Sequence, residues 1–271
     1  MKRFVLLAIC LFSASGWTVV GAEGFLPRPS ERKSVVRPAD GDYVVVVHGW
    51  ALLRDTMLPT VKHLHEEGYH VVSVVYDARR ESPDDIVQNR IAKALAEHCQ
   101  DTKRKLHFVG HSMGCLMIRK FLEDARPVNL GEVVFLAPPN QGIDYVDKFE
   151  QRKWFRAIFG DTARQLGTKE GSLPQQLGPA VGYEPGIIMG QNVSIPLLSE
   201  MLPGPDDGVV SVESGKMEGM RELICVRCIH MNLPKVEIVI EQTVHFLRHG
   251  RFDQMAEEDV EKAKVRIGGK K

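Results

Sequence analysis

The sequence predicts an α/β fold: a mostly parallel sheet of about six strands, helices on both faces, and a small helical cap inserted late in the sheet. Three observations predict it. Short apolar runs rich in β-branched residues alternate with amphipathic segments from residue 43 to residue 249. No internal repeat is present. Between Gly142 and Glu184 the alternation stops and no strand pattern occurs.

The elements follow in order. Tyr43–Val47 is an apolar run read as a buried strand. Residues 56–67 have helical spacing and end at Gly68. Val71–Val75 is a second buried strand. Residues 84–98 form a helix with Ile91 and Leu95 on one face and Asp84 and Asp85 in the first turn, where acidic groups suit the helix dipole. Leu106–Val109 is the third strand, with a helix after Ser112. Val133–Ala137, Ile187–Met189 and Leu223–Cys228 are the fourth, fifth and sixth strands. Residues 235–249 make the last helix, with Pro234 near its start and Gly250 past its end. Strands alternating with helices imply right-handed βαβ units.

The flanks read differently. Lys2 and Arg3 precede the apolar stretch Phe4–Phe12, and Val20-Gly21-Ala22 offers small residues for cleavage, so 1–22 is expected to be a signal peptide. Its interrupted apolar stretch is short for a membrane span, and an uncleaved anchor is the alternative. Removal takes away Lys2 and Arg3 and leaves two more acidic than basic residues, since the full chain has 35 of each. A secreted or periplasmic location is expected. Residues 23–41 are rich in Pro, Gly and charge and read as a linker. The domain is expected over 42–252, and 253–271 reads as a charged tail. The balanced charge and the lack of a basic patch interleaved with aromatics exclude a nucleic-acid partner.

Of five cysteines, Cys10 leaves with the signal. Cys225-Val-Arg-Cys228 has redox or zinc spacing but sits in a strand. Three strand residues separate Cα atoms by roughly 10 Å, beyond the roughly 7 Å limit of a disulfide. No second pair completes a zinc site. These are read as structural cysteines.

The chemistry concentrates at Gly110-His111-Ser112-Met113-Gly114. An apolar strand precedes this pentapeptide and an apolar helix follows it. A sharp turn there lifts one serine oxygen above the sheet, and the glycines avoid collisions with the tight backbone. Serine needs a base, and the base needs an orienting acid. His230 lies in a loop at the carboxyl end of the sixth strand, where sites collect in open sheets. His245 and His249 fall in or at the end of the last helix and read as surface or packing residues. Asp206 and Asp207 share the turn 203–211. One of them is expected to be a turn-former, and Asp207, beside Gly208, is taken as the acid. Two backbone N–H groups should hold the oxyanion: Met113, after the nucleophile, and Trp50, after Gly49 in the loop leaving the first strand. His48 precedes Ser112 in the chain and is read as a shape residue, not the base.

From Asp42 to Phe252 the chain resembles a lipase/esterase-type α/β-hydrolase of the small bacterial triacylglycerol lipase kind, lacking the first two strands of the full fold. The matching residues are VVVVHGW (44–50), GHSMGC (110–115), LAPPNQG (136–142), PGPDDGVVSVES (203–214) and the His230 loop. The resemblance supports Asp207 over Asp206. It implies an α/β-hydrolase fold and a serine hydrolase acting on carboxylic esters through Ser112, Asp207 and His230, with no cofactor. Two departures from the pattern stand out. Cys115 stands where another small residue is usual; cysteine is small enough to pack there and is expected to be tolerated, although its place near the nucleophile leaves modification open. Met231-Asn232-Leu233 follow His230 where a calcium-binding Asp often stands, so no metal is implied.

The insertion over about 143–185 carries Tyr145, Val146, Phe149, Trp154, Phe155, Ile158 and Phe159. It is read as a substrate-covering cap, which suggests an apolar acyl group. Small-molecule ester or lipid substrates are expected, with transient contact at a lipid surface. Two alternatives stand beside the hydrolase. A lipid acyltransferase would use the same three residues but pass the acyl group to an alcohol. A non-catalytic binding protein on this scaffold would usually have lost one of the three.

Overall fold

In the computed structural model the described residues are 34–50, 55–191 and 199–253. The expected leader and linker start, and all of the expected tail but Asp253, lie outside them. So do the side chains of Trp154, Ile158 and Phe159 in the insertion.

Among the described residues seven strands form one sheet: β1 (Val35–Arg37), β2 (Tyr43–Val47), β3 (His70–Val74), β4 (Leu106–His111), β5 (Leu130–Leu136), β6 (Gly186–Gly190) and β7 (Glu222–Val226). Their order is β1-β3-β2-β4-β5-β6-β7. All neighbours pair parallel except β1, which runs antiparallel along β3. The central strands β2 and β4 are buried at every position. Continuous Val-rich runs fit strands covered on both faces.

The sheet has one strand more than expected. The extra strand, β1, falls inside the segment read as a linker. Its apolar content is Val35 and Val36, flanked by charge and proline, so composition does not separate it from a linker. It caps the otherwise open edge of β3, which would be a template for unwanted pairing.

Nine α-helices lie among the described residues. The first is α1 (Leu58–Glu66). Next, α2 (Pro83–Ile86) runs through a π-helical stretch (Val87–Ala92) into α3 (Lys93–His98). Ser82 caps α2: its Oγ accepts the Asp85 N–H at 3.1 Å, and the Asp85 carboxylate accepts the Ser82 N–H at 3.4 Å. Then come α4 (Met113–Asp124), three insertion helices α5 (Asp144–Phe149), α6 (Lys153–Arg164) and α7 (Leu173–Gln176), and α8 (Val212–Gly215). The last helix, α9 (Glu237–His249), packs on the sheet so closely that a Cβ at Gly186 of β6 would lie 2.3 Å from the Phe246 ring.

The strand order reverses between β2 and β4. Chains leaving the carboxyl ends of these two neighbours diverge, and that crevice is where open α/β sheets place their sites. The loop His48–Trp50 leaves β2, and Ser112 follows β4, so both expected contributors stand there.

The insertion is tied to the body. The helix α6 breaks at Gly160 (φ 78°), where a Cβ would lie 2.6 Å from the Arg79 Cα. Thr162 Oγ1 donates to the Glu81 carbonyl at 2.9 Å, and Arg79 Nη2 donates to the Ala157 carbonyl at 2.9 Å. Arg119 of α4 is buried at 3 % exposure. Its Nη1 donates to Asn140 Oδ1 at 3.0 Å, and its Nη2 to the Leu177 and Gly178 carbonyls at 3.0 and 2.9 Å. A buried guanidinium survives only when hydrogen-bonded in this way.

Candidate active site

Ser112 is the N-cap of α4 and has φ 55° and ψ −126°. A non-glycine residue held there costs on the order of 1–3 kcal/mol. The surroundings enforce it. The Ser112 N–H donates to the Leu136 carbonyl at 2.8 Å, and the Cys115 N–H to the Ser112 carbonyl at 3.0 Å. The flanking glycines are there for space. A Cβ at Gly110 would lie 2.9 Å from the Cys115 Cα, and one at Gly114 2.3 Å from the Val47 carbonyl oxygen. Side chains at either position would force the turn open.

His230 begins the 3₁₀ turn His230–Lys235 beyond β7. Its Nε2 is 2.9 Å from Ser112 Oγ, and its Nδ1 is 2.7 Å from Asp207 Oδ2. A carboxylate only accepts, so Nδ1 carries the proton and Nε2 presents a lone pair to the serine hydroxyl. Asp207 is fully buried. Its Oδ1 accepts the N–H groups of Val209 at 3.0 Å and Val210 at 2.8 Å. These bonds and the imidazole N–H compensate its buried charge.

Asp206 faces elsewhere. Its Oδ1 accepts the Gly208 N–H at 2.7 Å and the Ser199 hydroxyl at 2.8 Å. It is the turn-former of the pair. His48 Nδ1 lies 2.7 Å from the Gly49 carbonyl oxygen, within its own loop. His245 Nδ1 bonds the Arg251 carbonyl at 2.8 Å, and its ring lies 4.5 Å from that of His249, so its contacts are within the end of α9 and the segment after it.

The two expected oxyanion residues flank the serine in different ways. Met113 is the first residue of α4, so its N–H has no acceptor within the helix. Trp50 is half-buried and follows Gly49. Gly49 abuts the serine: a Cβ there would lie 3.0 Å from Ser112 Cβ. The loop after β2 therefore packs directly on Ser112.

Two further residues bear on the site. His111 is buried, with its ring 4.8 Å from that of His230. Burial first, and the neighbouring His230 second, hold its pKa well below the usual histidine range, so it stays neutral. Its Nε2–H donates to the His230 carbonyl at 3.1 Å. It was visible in the sequence as the residue before Ser112, but nothing in the motif assigned it this bond. Tyr145 of α5 has its phenol pushed up by burial, with the charge of Asp207 adding, which sets the insertion beside the acid.

Cys115 packs as its size allows, and the structure closes it to modification. It is fully buried, and burial pushes its thiol well above the ordinary value. The thiolate is the reactive form, so this cysteine is shielded, not open to modification. Cys225 and Cys228 are both free thiols. Cys228 lies beyond the end of β7, and burial, then the Asp207 charge, push it up to about 12.

Fold and site define an α/β protein with a buried Ser–His–Asp hydrogen-bond chain at the sheet's switch point. Residues 44–205 match the model of the alpha/beta hydrolase family, and the chain belongs to that family. Solved structures share the fold at low identity. Bacillus licheniformis lipase BlEst2 in its mature form is 15% identical, with a TM-score of 0.64, over 79% of this chain and 98% of that one. Esterase EaEST from Exiguobacterium antarcticum is 15% identical, with a TM-score of 0.51, over 79% and 95%. Phospholipase PlaB from Legionella pneumophila is 18% identical, with a TM-score of 0.54, over 65% of this chain but 46% of that one, so the chain spans less than half of that protein. No curated protein matches the sequence.

Proposed function

We propose that this protein is a serine hydrolase that cleaves carboxylic esters. The observation that carries the reading is the chain Asp207 Oδ2–His230–Ser112 Oγ, with contacts of 2.7 and 2.9 Å. These lengths are those of working nucleophile–base and base–acid pairs.

In this reading Ser112 Oγ attacks the ester carbonyl carbon while His230 Nε2 takes its proton. The carbonyl oxygen becomes an anion that accepts the Trp50 and Met113 N–H groups. Preorganised donors of this kind are typically the largest electrostatic contribution. Asp207 holds the imidazole in the required tautomer and stabilises the imidazolium. The C–O bond then breaks, and His230 gives its proton to the leaving alcohol. A water enters, His230 takes one of its protons, and the hydroxide oxygen attacks the acyl-enzyme. Collapse returns the proton to Ser112 and releases the acid.

The lipase and esterase names among the structural neighbours favour ester or lipid substrates for this chain too. The half-buried aromatics Tyr145 and Phe149 of α5 favour an apolar acyl group. The leader read from the sequence goes with export to the periplasm or beyond. Hydrolysis of p-nitrophenyl esters from acetyl to palmitoyl, by the wild type and by Ser112→Ala, tests the reading. Activity lost in the variant supports it, and the preferred chain length separates esterase from lipase. A folded wild type inert on every ester contradicts it.

A further inference from the structure

We propose that Tyr76 is a positioning residue: through its hydroxyl on the His48 carbonyl and its ring on the His48 imidazole, it holds His48 so that the imidazole fixes the Gly49–Trp50 peptide with the Trp50 N–H facing the site. This inference rests on the hydrolase reading above and extends it to a residue outside the Ser–His–Asp chain.

Tyr76 follows β3, the parallel neighbour of β2. The registered pair Val47–Val74 ends both strands together, so Tyr76 stands beside the loop that leaves β2. It is 1 % exposed. A buried phenol needs a partner, and this one finds it in the loop. Its hydroxyl donates to the His48 carbonyl, with the Gly49 carbonyl oxygen also within 3.2 Å. Its ring lies flat on the His48 imidazole, with centroids 4.1 Å apart and planes 8° from parallel. That imidazole bonds the Gly49 carbonyl through Nδ1 at 2.7 Å, and since a carbonyl only accepts, Nδ1 carries the proton.

The imidazole Nδ1–H therefore holds the Gly49 carbonyl oxygen, and the Tyr76 hydroxyl, whose one proton goes to the His48 carbonyl, holds the residue that carries that imidazole. The Gly49–Trp50 peptide is planar and trans. In a trans peptide C=O and N–H point in opposite directions. Holding the Gly49 oxygen toward Tyr76 and His48 turns the Trp50 N–H away from them. Without that donor, held in place by Tyr76, the peptide is free to rotate about its flanking bonds, and glycine resists that rotation less than any other residue. A rotated peptide would present a carbonyl oxygen, not an N–H, to the developing oxyanion. Burial pushes the Tyr76 phenol well above its ordinary value, so the hydroxyl keeps its proton and remains a donor.

Tyr76→Phe keeps the stacked ring and removes only the hydroxyl. Loss of a whole oxyanion donor costs roughly 10²–10³ in kcat, so loosening one is expected to cost about 10–100-fold, with KM changed less than about twofold. A second substrate isolates the cause. A thionoester carries C=S in place of C=O, and sulfur is a weak hydrogen-bond acceptor. Its hydrolysis draws little on the N–H donors. The ester-to-thionoester rate ratio should therefore fall in Tyr76→Phe, whereas general damage to the site lowers both rates together. An unchanged kcat, or a parallel loss on both substrates, overturns the proposal. If Tyr76→Phe does not fold, the same ratio in His48→Leu, which removes the imidazole donor to Gly49 itself, decides in the same way. A wild type inert on esters would sink the hydrolase reading but leave this one testable. A crystal structure of Tyr76→Phe with the Gly49–Trp50 peptide rotated supports it, and an unmoved peptide overturns it.

Discussion

Asp207 grips His230 twice. Its carboxylate accepts the imidazole Nδ1–H at 2.7 Å, and its main-chain carbonyl accepts the His230 N–H at 3.0 Å. The first contact sets the tautomer of the ring. The second sets the height of its backbone at the end of the sheet. His111 adds a third hold through the His230 carbonyl. The base is thus fixed from its main chain as firmly as from its side chain.

Asp207→Asn separates these effects. The backbone bond survives, but an amide in place of the carboxylate favours the wrong tautomer. Ester kcat is expected to fall about 10³–10⁴-fold, with the circular dichroism spectrum unchanged. Asp206→Asn leaves the imidazole partner in place and is expected to cost less than about tenfold. Steady-state rates on p-nitrophenyl acetate read both. Equal losses would assign the acid wrongly.

Gly190 ends β6 directly under the acid. A Cβ there would lie 2.5 Å from the Cys228 carbonyl oxygen and 2.7 Å from Asp207 Cβ. Neither atom belongs to a flexible chain end, so Gly190→Ala must shift the acid or the segment bearing His230. Overpacking of this kind costs about 1–3 kcal/mol. Urea melts should show that loss, with a fall in kcat on the folded fraction. Full activity per folded molecule would contradict the packing argument.

His107 makes stability depend on pH. It is buried in β4, where its Nδ1 accepts the Glu132 N–H at 2.9 Å. Burial, partly offset by Asp42, lowers its pKa to about 4. The unfolded chain takes up this proton near pH 6.5, while the folded protein refuses it until about pH 4. Stability is therefore full above about pH 6.5 and falls as the pH drops toward 4, by up to about 1.4 kcal/mol per pH unit from this group. His111, lowered by burial as well, acts in the same direction. Denaturant melts across that range should show His107→Gln with a shallower slope than the wild type. Identical slopes would remove His107 from the account.

Cys115 should be silent in the native protein. Iodoacetamide at neutral pH is expected to leave it unmodified, with esterase activity retained, and to label it only after denaturation. Peptide mass spectrometry reads the site. Native labelling of Cys115 would show that the core beneath the Ser112 turn opens.

The sheet was legible where chemistry repeats. Valine runs marked β2 and β3, and the strand–serine–helix pattern marked β4 and α4. The strand β1 was not legible, because two valines amid proline and charge look like a linker until an open sheet edge lies beside them. The π-helical stretch Val87–Ala92 was read as ordinary helix, since its spacing departs from 3.6 residues over too short a run. In the candidate site, Ser112, Asp207 and His230 stand out in the sequence because their chain order and loop positions are chemically constrained, and the structure brings the three within hydrogen-bond distance. Tyr76 and His111 bond the main-chain carbonyls of His48 and His230, and a carbonyl partner leaves no mark on sequence. An aromatic residue ending an otherwise Val-rich strand segment at Tyr76 was the one available sign.

Reaction with a fluorophosphonate, followed by peptide mapping, tests the central claim that Ser112 is a nucleophile activated by His230. The account predicts one phosphonyl adduct, on Ser112, absent from Ser112→Ala and formed at least about 10²-fold more slowly in His230→Ala. No adduct on the folded protein, or equal labelling of wild type and Ser112→Ala, would contradict it.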